Sequence, residues 1–257
     1  MELRALLTDA ADAFPATSSG GYFTLANRKN WVDRTTHDLR LLTARLERPT
    51  EAAVADVGGG LGLLAIGCAR LGMRATVIDD LALIEQAGLL PATLEILGRE
   101  GVEVQRRDVL ANGLGLDAES VDAVMFMHVI EHLPISPKTL LHEMRDALRP
   151  GGVLMIAAPN CVNLRKRITV PVGRGAWSRM EDWYETPSFG GHVREPDLSD
   201  LEYIARDLQL RDVEIHGRNF LGFASPSPRR RLFSRIIDPV LRKRPSLCSD
   251  LYMVGSR

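Results

Sequence analysis

The residues best suited to chemistry begin at Asp56-Val57-Gly58-Gly59-Gly60-Leu61-Gly62, where four glycines follow a carboxylate at the end of an apolar run. Glycines at such a junction let backbone amides approach a ligand closely, and the N-terminus of a following helix favours hydrogen-bond acceptors or partial negative charge. Gly60-x-Gly62-x-x-Ala65 fits a dinucleotide fingerprint, so a nicotinamide or flavin enzyme is one reading; glycines that only make a tight turn are another. Asp79 lies 17 residues beyond Gly62, where a carboxylate can accept hydrogen bonds from both hydroxyls of a ribose. Asp80 beside it is a second polar contact or a solvated turn residue. In Arg107-Asp108-Val109 the acid suits the exocyclic amine of an adenine, with a plain turn former as the alternative.

Met127-His128-Val129-Ile130-Glu131-His132 adds two imidazoles and a carboxylate. An imidazole titrates near neutrality and so suits a general base. His132 is one candidate, and His192, in Gly190-Gly191-His192-Val193-Arg194, is the other. A histidine hydrogen-bonded to backbone at a strand end is the plainer reading of each. Glu131 either orients a neighbouring imidazole or caps the next helix. His128 and His132 stand one i, i+4 step apart if the chain is helical there, a spacing that suits a metal pair. No third ligand is evident, and no metal is expected. His37, His142 and His216 read as surface or packing residues.

These residues sit in an alternation of short apolar runs with helical segments between about 52 and 160, which predicts an α/β fold with a parallel sheet. The runs are 52–57, 74–79, 102–108, 121–127 and 152–158, mostly apolar, as strands covered on both faces should be. Two more β-like runs, 210–217 and 247–255, make seven strands. Helical spacing appears over 37–48 through Leu39, Leu42 and Leu46, and over 197–209 through Leu201, Ile204 and Leu208. Ser136-Pro137 reads as the start of another helix, with Leu140, Met144 and Leu148 on one face and Pro150-Gly151-Gly152 ending it. Residues 1–50 read as an N-terminal helical cover, and 51–257 as the main domain, with a turn-rich aromatic insertion at 161–196 and a basic insertion at 221–246.

Apolar residues at 45% and charged residues at 25% exclude disordered, collagen-like and disulfide-framework classes. Net charge is −1, so nucleic acid is not an expected partner. The charge is unevenly placed: 15 basic and 21 acidic residues in 1–160 give −6, while 17 and 12 in 161–257 give +5. Cys68, Cys161 and Cys248 are widely spaced and odd in number, which fits a reducing compartment. The first residues, MELRALLTDAADAF, lack a basic start followed by an apolar run, and no stretch reaches the about 18 apolar residues of a membrane span. A cytoplasmic location is expected.

Taken together, DVGGGLG (56–62), VIDD (77–80), RRDV (106–109), FMHVIEHL (126–133) and LRPGGVLMIAAPN (148–160) resemble the class I S-adenosylmethionine-dependent methyltransferases, in the broad group with ubiquinone-biosynthesis and sugar or natural-product methyltransferases. The five elements keep the family's order and spacing over about a hundred residues, and the Glu-His-Leu and Arg-Pro-Gly-Gly elements are foreign to dinucleotide dehydrogenases. The resemblance implies a Rossmann-like seven-stranded sheet, mostly parallel with its last strand antiparallel and helices on both faces. It implies S-adenosylmethionine as cofactor and S-adenosylhomocysteine as product. Carried over by position, Gly58, Gly59, Gly60 and Gly62 cradle the methionine and ribose portion, Asp56 lies near the methionine amino group, and Asp79, with Asp80 beside it, holds the ribose. Asp108 and the Val109 amide frame the adenine, and Met127 and His128 line the pocket beside the sulfonium. VIDD departs from the glutamate of many members by one methylene.

The implied activity is methyl transfer to a small-molecule or glycan acceptor at oxygen. Its alternatives are a protein that binds the cofactor without transfer, or an NAD(P)-dependent oxidoreductase. The 161–196 insertion, whose opening also resembles the family's lid, is where acceptor specificity is expected. Trp177, Trp183, Tyr184 and Phe189 either stack on an acceptor ring or pack on the core, and Tyr22 and Trp31 close the site from the amino-terminal side. Residues 226–245 carry seven basic side chains among Leu232, Phe233, Ile236, Ile237, Val240 and Leu241. They read as a surface for a membrane or an anionic acceptor, or as a solvated face with a core-facing stripe interrupted by Pro239. The latter is the simpler expectation.

Overall fold

The computed structural model describes residues 2–15, 25–175, 178, 180–185, 190–220 and 227–257. Tyr22, Trp177 and Phe189 lie outside the described residues. The seven strands are β1 (Ala53–Val57), β2 (Arg74–Asp79), β3 (Glu103–Arg106), β4 (Val121–Met127), β5 (Leu148–Pro159), β6 (Arg211–Arg218) and β7 (Asp250–Ser256). They form one sheet in the order β3-β2-β1-β4-β5-β7-β6. β1 runs parallel to both β2 and β4, and β2 parallel to β3. Against β5, the last strand is antiparallel: Gly151 donates to the Arg257 carbonyl, Arg257 to Gly152, and Asn160 to Ser249, so rising numbers meet falling ones. Strand order reverses between β1 and β4, the topological switch point at which open α/β sheets bind ligands.

The helices are α1 (Leu3–Asp12), α2 (Leu25–Arg45), α3 (Leu63–Arg70), α4 (Ala82–Gln86), α5 (Leu90–Arg99), α6 (Val109–Asn112), α7 (Lys138–Ala147), α8 (Leu164–Thr169), α9 (Met180–Tyr184), α10 (Leu198–Asp207) and α11 (Pro228–Leu241). The chain divides into two compact units, Met1–Phe126 with Leu140–Met155 and Ser256–Arg257, and Met127–Thr139 with Ile156–Gly255.

Three details depart from the sequence pattern. α7 stops at Ala147, so Leu148 is buried as a strand residue and Pro150-Gly151-Gly152 belongs to the start of β5, where its backbone pairs with Arg257. α2 starts well before the leucine repeat, because Val32 and Thr36 extend its buried face through an otherwise polar run. Pro239 lies inside α11 rather than ending it, and the apolar stripe of α11 is not core-facing: Leu232, Phe233, Ile236 and Val240 are all more than 60% exposed.

In the first unit, α3 is apolar along nearly its whole length, and Leu63–Cys68 are buried. α1 and α2 cover it so closely that a Cβ on Gly67 would meet Leu7 Cδ2 at 2.9 Å and Leu39 Cδ2 at 3.0 Å. Arg70, in the last turn of α3, locks the same packing. Its guanidinium makes two hydrogen bonds to Glu100, of 2.6 and 2.7 Å, one to Asp9 and one to the Leu6 carbonyl, so one fork joins three segments. The N-terminal cover is thus bound to the helix that begins at the glycine loop.

Helix propensity and packing oppose each other at Gly67 and agree at Gly98 of α5, where an added Cβ meets nothing within 4 Å. Gly98→Ala is expected to raise stability by about 0.5–1 kcal/mol. Gly67→Ala is expected to lower it by about 1–3 kcal/mol, because two fixed leucine methyls must move. Urea unfolding of the two variants beside the parent checks the opposite signs.

Candidate functional site

In the first unit, β1 and β2 deliver two carboxylates to one glycine loop. Asp79, at the end of β2, accepts the Gly60 amide on Oδ2 at 2.9 Å and the Leu81 amide on Oδ1 at 2.6 Å. Each oxygen keeps a lone pair, so the carboxylate can still accept from a ligand's hydroxyls. Burial raises the Asp79 pKa above its ordinary value; the two amides oppose that, and Asp80 adds to it. Asp56 is buried, with its carboxyl turned against Gly59, where a Cβ would stand 2.7 Å from Oδ2. Burial, together with the charge of Asp79, pushes Asp56 up to about 7, although the Ala65 amide offers it a hydrogen bond.

The glycines are needed for separate reasons. Gly60 is left-handed, φ +56°, and a Cβ there would meet nothing within 4 Å, which leaves its surface open to a ligand. Gly62, φ +72°, begins α3 against Leu97, whose Cδ2 would lie 2.6 Å from an added Cβ. Gly58 donates to the Ile78 carbonyl at 2.8 Å and so ties the loop to β2. Asp80 is exposed and caps the start of α4 through the Ala82 amide. Asp108 is exposed and N-caps α6, accepting the Leu110 and Ala111 amides on one oxygen, with Val109 as the first helical residue. Its other oxygen takes no part in that cap.

In the second unit, Met127 ends β4 half-buried and His128 follows in the left-handed region, φ +58°, uncommon for a side chain with a Cβ. The His128 amide continues the ladder to the Ala157 carbonyl at 2.8 Å, and its Nε2 lies 3.5 Å from the Tyr252 hydroxyl. Only one 3-10 turn, Ile130–His132, follows. His128 and His132 therefore do not share a helical face. His132 instead meets His192, with ring centroids 4.9 Å apart and planes at 78°.

Glu131 is 1% exposed, and its Oε1 lies 3.7 Å from His128 Nδ1 and 3.9 Å from His132 Nε2. It does not cap a helix by its side chain; its main-chain carbonyl accepts the Val193 and Arg194 amides. The structure gathers His192 with Glu131 and His132 in one cluster, of which His128 is not a member.

Glu195 and Lys166 carry no signal in the linear pattern. His192 Nδ1 lies 2.8 Å from Glu195 Oε1, and Glu195 also pairs with the buried Lys166. The Glu195 hydrogen bond raises His192 above its ordinary value. Burial would raise Glu195 in turn, but His192 and Lys166 outweigh it and hold the acid below its usual range. Trp183 and Tyr184, with ring centroids 6.5 Å apart, are exposed rather than packed on a core. Trp31 lies half-buried within α2.

Sheet order, switch point and glycine loop together define the class I S-adenosylmethionine-dependent methyltransferase fold. Residues 31–215 match the family model described as a methyltransferase domain, and the chain belongs to that family. That membership decides the class of the Gly60-x-Gly62 loop against the dehydrogenase reading. The chain is similar to a ubiquinone biosynthesis O-methyltransferase of Xanthomonas axonopodis pv. citri, 36% identical over 123 residues. The match covers 48% of each chain, so this chain spans about half the length of that curated relative. Among solved structures, a methyltransferase from Archaeoglobus fulgidus superposes with a TM-score of 0.56 at 18% identity, covering 88% of this chain and 94% of the other. The 1,6-didemethyltoxoflavin-N1-methyltransferase of Burkholderia thailandensis, solved with S-adenosylhomocysteine, gives 0.55 at 19% identity, covering 88% and 80%.

Asp56 makes stability depend on pH in a stated direction. Folding raises its pKa from 3.8 to about 7, so the folded state holds the proton more tightly. The stability this contributes is full below about pH 4 and is lost as pH rises through about 7. Asp56→Asn removes the ionising group and is expected to flatten that fall, leaving the variant on the order of a few kcal/mol less disadvantaged at pH 8 than at pH 4, relative to the parent. Chemical unfolding of both proteins across pH 4–8 checks the sign.

Proposed function

We propose that the protein transfers the methyl group of S-adenosylmethionine to an oxygen of a small-molecule or sugar-containing acceptor. The single observation that carries this reading is the pair of carboxylates, buried Asp56 and half-buried Asp79, around an open left-handed Gly60. The cofactor's portions fit these donors and acceptors: hydroxyls suit the remaining lone pairs of Asp79, and an ammonium suits Asp56. A carboxylate held near pH 7 by burial gains most from a cation, which restores the charged form. Asp108, Val109, Met127 and His128 are assigned to the adenine and sulfonium side, as the family pattern implies. The solved relative that holds S-adenosylhomocysteine supports the same cofactor.

The cofactor supplies a methyl group already activated on sulfur. What remains for the chain is to hold the acceptor oxygen in line at roughly 3–3.5 Å, exclude water and draw off the hydroxyl proton. The His132/His192 pair is where that proton is lost, and the 161–196 segment, which carries exposed Trp183 and Tyr184, is the acceptor's cover. The curated O-methyltransferase relatives support oxygen as the atom methylated. No helix among the described residues is long and apolar enough to cross a membrane. Free Cys68, Cys161 and Cys248 support a reducing, cytoplasmic compartment.

The acceptor is proposed to be presented at an anionic lipid surface, which the protein touches through α11. Leu232, Phe233, Ile236 and Val240 stand exposed on that helix, in a segment rich in arginine. Such a helix lies in a headgroup region with its apolar side chains inserted. Phe233→Glu with Ile236→Glu is expected to abolish co-sedimentation with phosphatidylglycerol vesicles, and phosphatidylcholine vesicles are expected to retain little of the parent. Equal binding of parent and variant to both would overturn the lipid contact.

Calorimetric titration with S-adenosylmethionine and S-adenosylhomocysteine, with NADPH as the control, tests the cofactor. Micromolar binding of the sulfur nucleotides is expected, weakened about 10- to 100-fold by Asp79→Ala. Near pH 6–7 binding should release a proton as Asp56 ionises, seen as a dependence of the heat on the buffer's ionisation enthalpy and lost in Asp56→Asn. Preference for NADPH would overturn the reading. Binding without turnover on any hydroxylated acceptor would favour a cofactor-binding protein that does not transfer.

A further inference from the structure

Glu131, His132 and His192 place one carboxylate oxygen and two imidazole nitrogens within 4.8 Å of one another. We propose that this cluster is a divalent-metal site for a first-row ion that accepts mixed nitrogen and oxygen ligands, with Zn2+ as the reference occupant.

The tautomers favour it. His132 Nδ1 lies 3.1 Å from the Gly191 carbonyl oxygen, an atom that can only accept, so the ring proton belongs on Nδ1 and the lone pair on Nε2. His192 is arranged alike, with Nδ1 2.8 Å from Glu195 Oε1 and Nε2 left as the base. An imidazole whose outer N–H is held by a carboxylate or carbonyl is the form in which histidine binds metals. The carboxylate favours it independently. Glu131 is 1% exposed, and its Oε2 has no hydrogen-bond partner among the described residues. An unpaired buried carboxylate oxygen is costly, and a cation is the group that offsets it.

The frame is also built in advance. The Glu131 carbonyl accepts the Val193 amide at 2.7 Å and the Arg194 amide at 3.2 Å, which fixes the segment carrying His192 to the segment carrying the other two ligands. Lys166 holds Glu195 from behind. Three protein ligands leave open positions, the pattern of catalytic rather than structural sites. Both imidazoles are more than one-third exposed, so an exchanging oxygen ligand can reach the ion.

Resting on the methyl-transfer reading, the acceptor's hydroxyl oxygen takes one open position, where the cation lowers its pKa. The O–H bond breaks and its proton leaves to water. The O–CH3 bond forms as the S–CH3 bond breaks, and the electron pair of that bond stays on sulfur. With the ion bound, His132 and His192 serve as ligands, and loss of the proton to water replaces its loss to the metal-free imidazole pair.

The test uses the whole chain, stripped with a chelator and titrated with Co2+ by visible absorption, with Zn2+ by calorimetry, and with Mg2+, which avoids imidazole, as the control ion. One equivalent of Co2+ with d–d bands displaced by Zn2+ is expected. Glu195→Gln should weaken Zn2+ about 10- to 100-fold, and Glu131→Gln, His132→Ala and His192→Ala should weaken it further. S-adenosylhomocysteine binding by the same samples reports that each variant is folded. Absence of stoichiometric Zn2+ binding by the parent, or binding unchanged by all four substitutions, overturns the site. Metal binding without S-adenosylhomocysteine binding supports the site and overturns the transfer reading; the reverse result overturns the site alone.

Discussion

The glycine-loop edge of the first unit depends on the Asp79 carboxylate, which accepts the amides of Gly60 and Leu81. That pair of bonds sets the height of the glycine loop over β1 and β2, holds Gly60 left-handed, and gives α3 a defined start at Gly62. Everything further out inherits this placement: α3 carries Arg70, and Arg70 carries the N-terminal cover. Burial of the Asp56 carboxyl, with the charge of half-buried Asp79 beside it, is unfavourable for folding and pushes Asp56 up to about 7. Positions that contradict the preferences of an apolar interior are expected at functional sites. Here the contradiction has a sign, an excess of acceptors and negative charge, which suits a ligand that brings hydroxyls and a cation.

Most of this edge was legible in the sequence because it is local. The strands 53–57, 74–79 and 121–127 are short, largely apolar runs, and their length and valine and isoleucine content mark them as strands. The meeting of His132 with His192 was not legible, because it depends on main-chain bonds from Val193 and Arg194 to Glu131 that no spacing encodes. The i, i+4 reading of His128 and His132 failed for a local reason. His128 adopts a positive φ, and a strand end that turns that way cannot continue into an α-helical face. At α11 the error lay in the proline. Pro239 lies in the last turn of α11, with only two helical residues after it, and apolar spacing says nothing of whether a stripe finds a core.

The two units solve different physical problems. In the first, buried Asp56 and half-buried Asp79 are held by main-chain amides. In the second, Lys166, Glu195, His192 and His132 form a chain of side-chain contacts that ends at half-exposed imidazoles. Loss of Glu195 would leave Lys166 as an unpaired buried cation, so the chain is cooperative: each member is held by the next.

Charge is also unevenly placed along the sequence. Residues 1–160 carry −6 and 161–257 carry +5, and exposed apolar side chains gather in the latter, at Ile168, Val172, Met180, Trp183 and Tyr184 as well as along α11. A solvated face would shed such groups, since large exposed apolar patches on folded chains mark interaction surfaces. Arginine interleaved with them favours a partner that is both apolar and anionic. In the proposed reading, a hydroxylated acceptor with a lipid tail or lipid-surface location meets both demands and gives the exposed leucine, phenylalanine and isoleucine of α11 a partner.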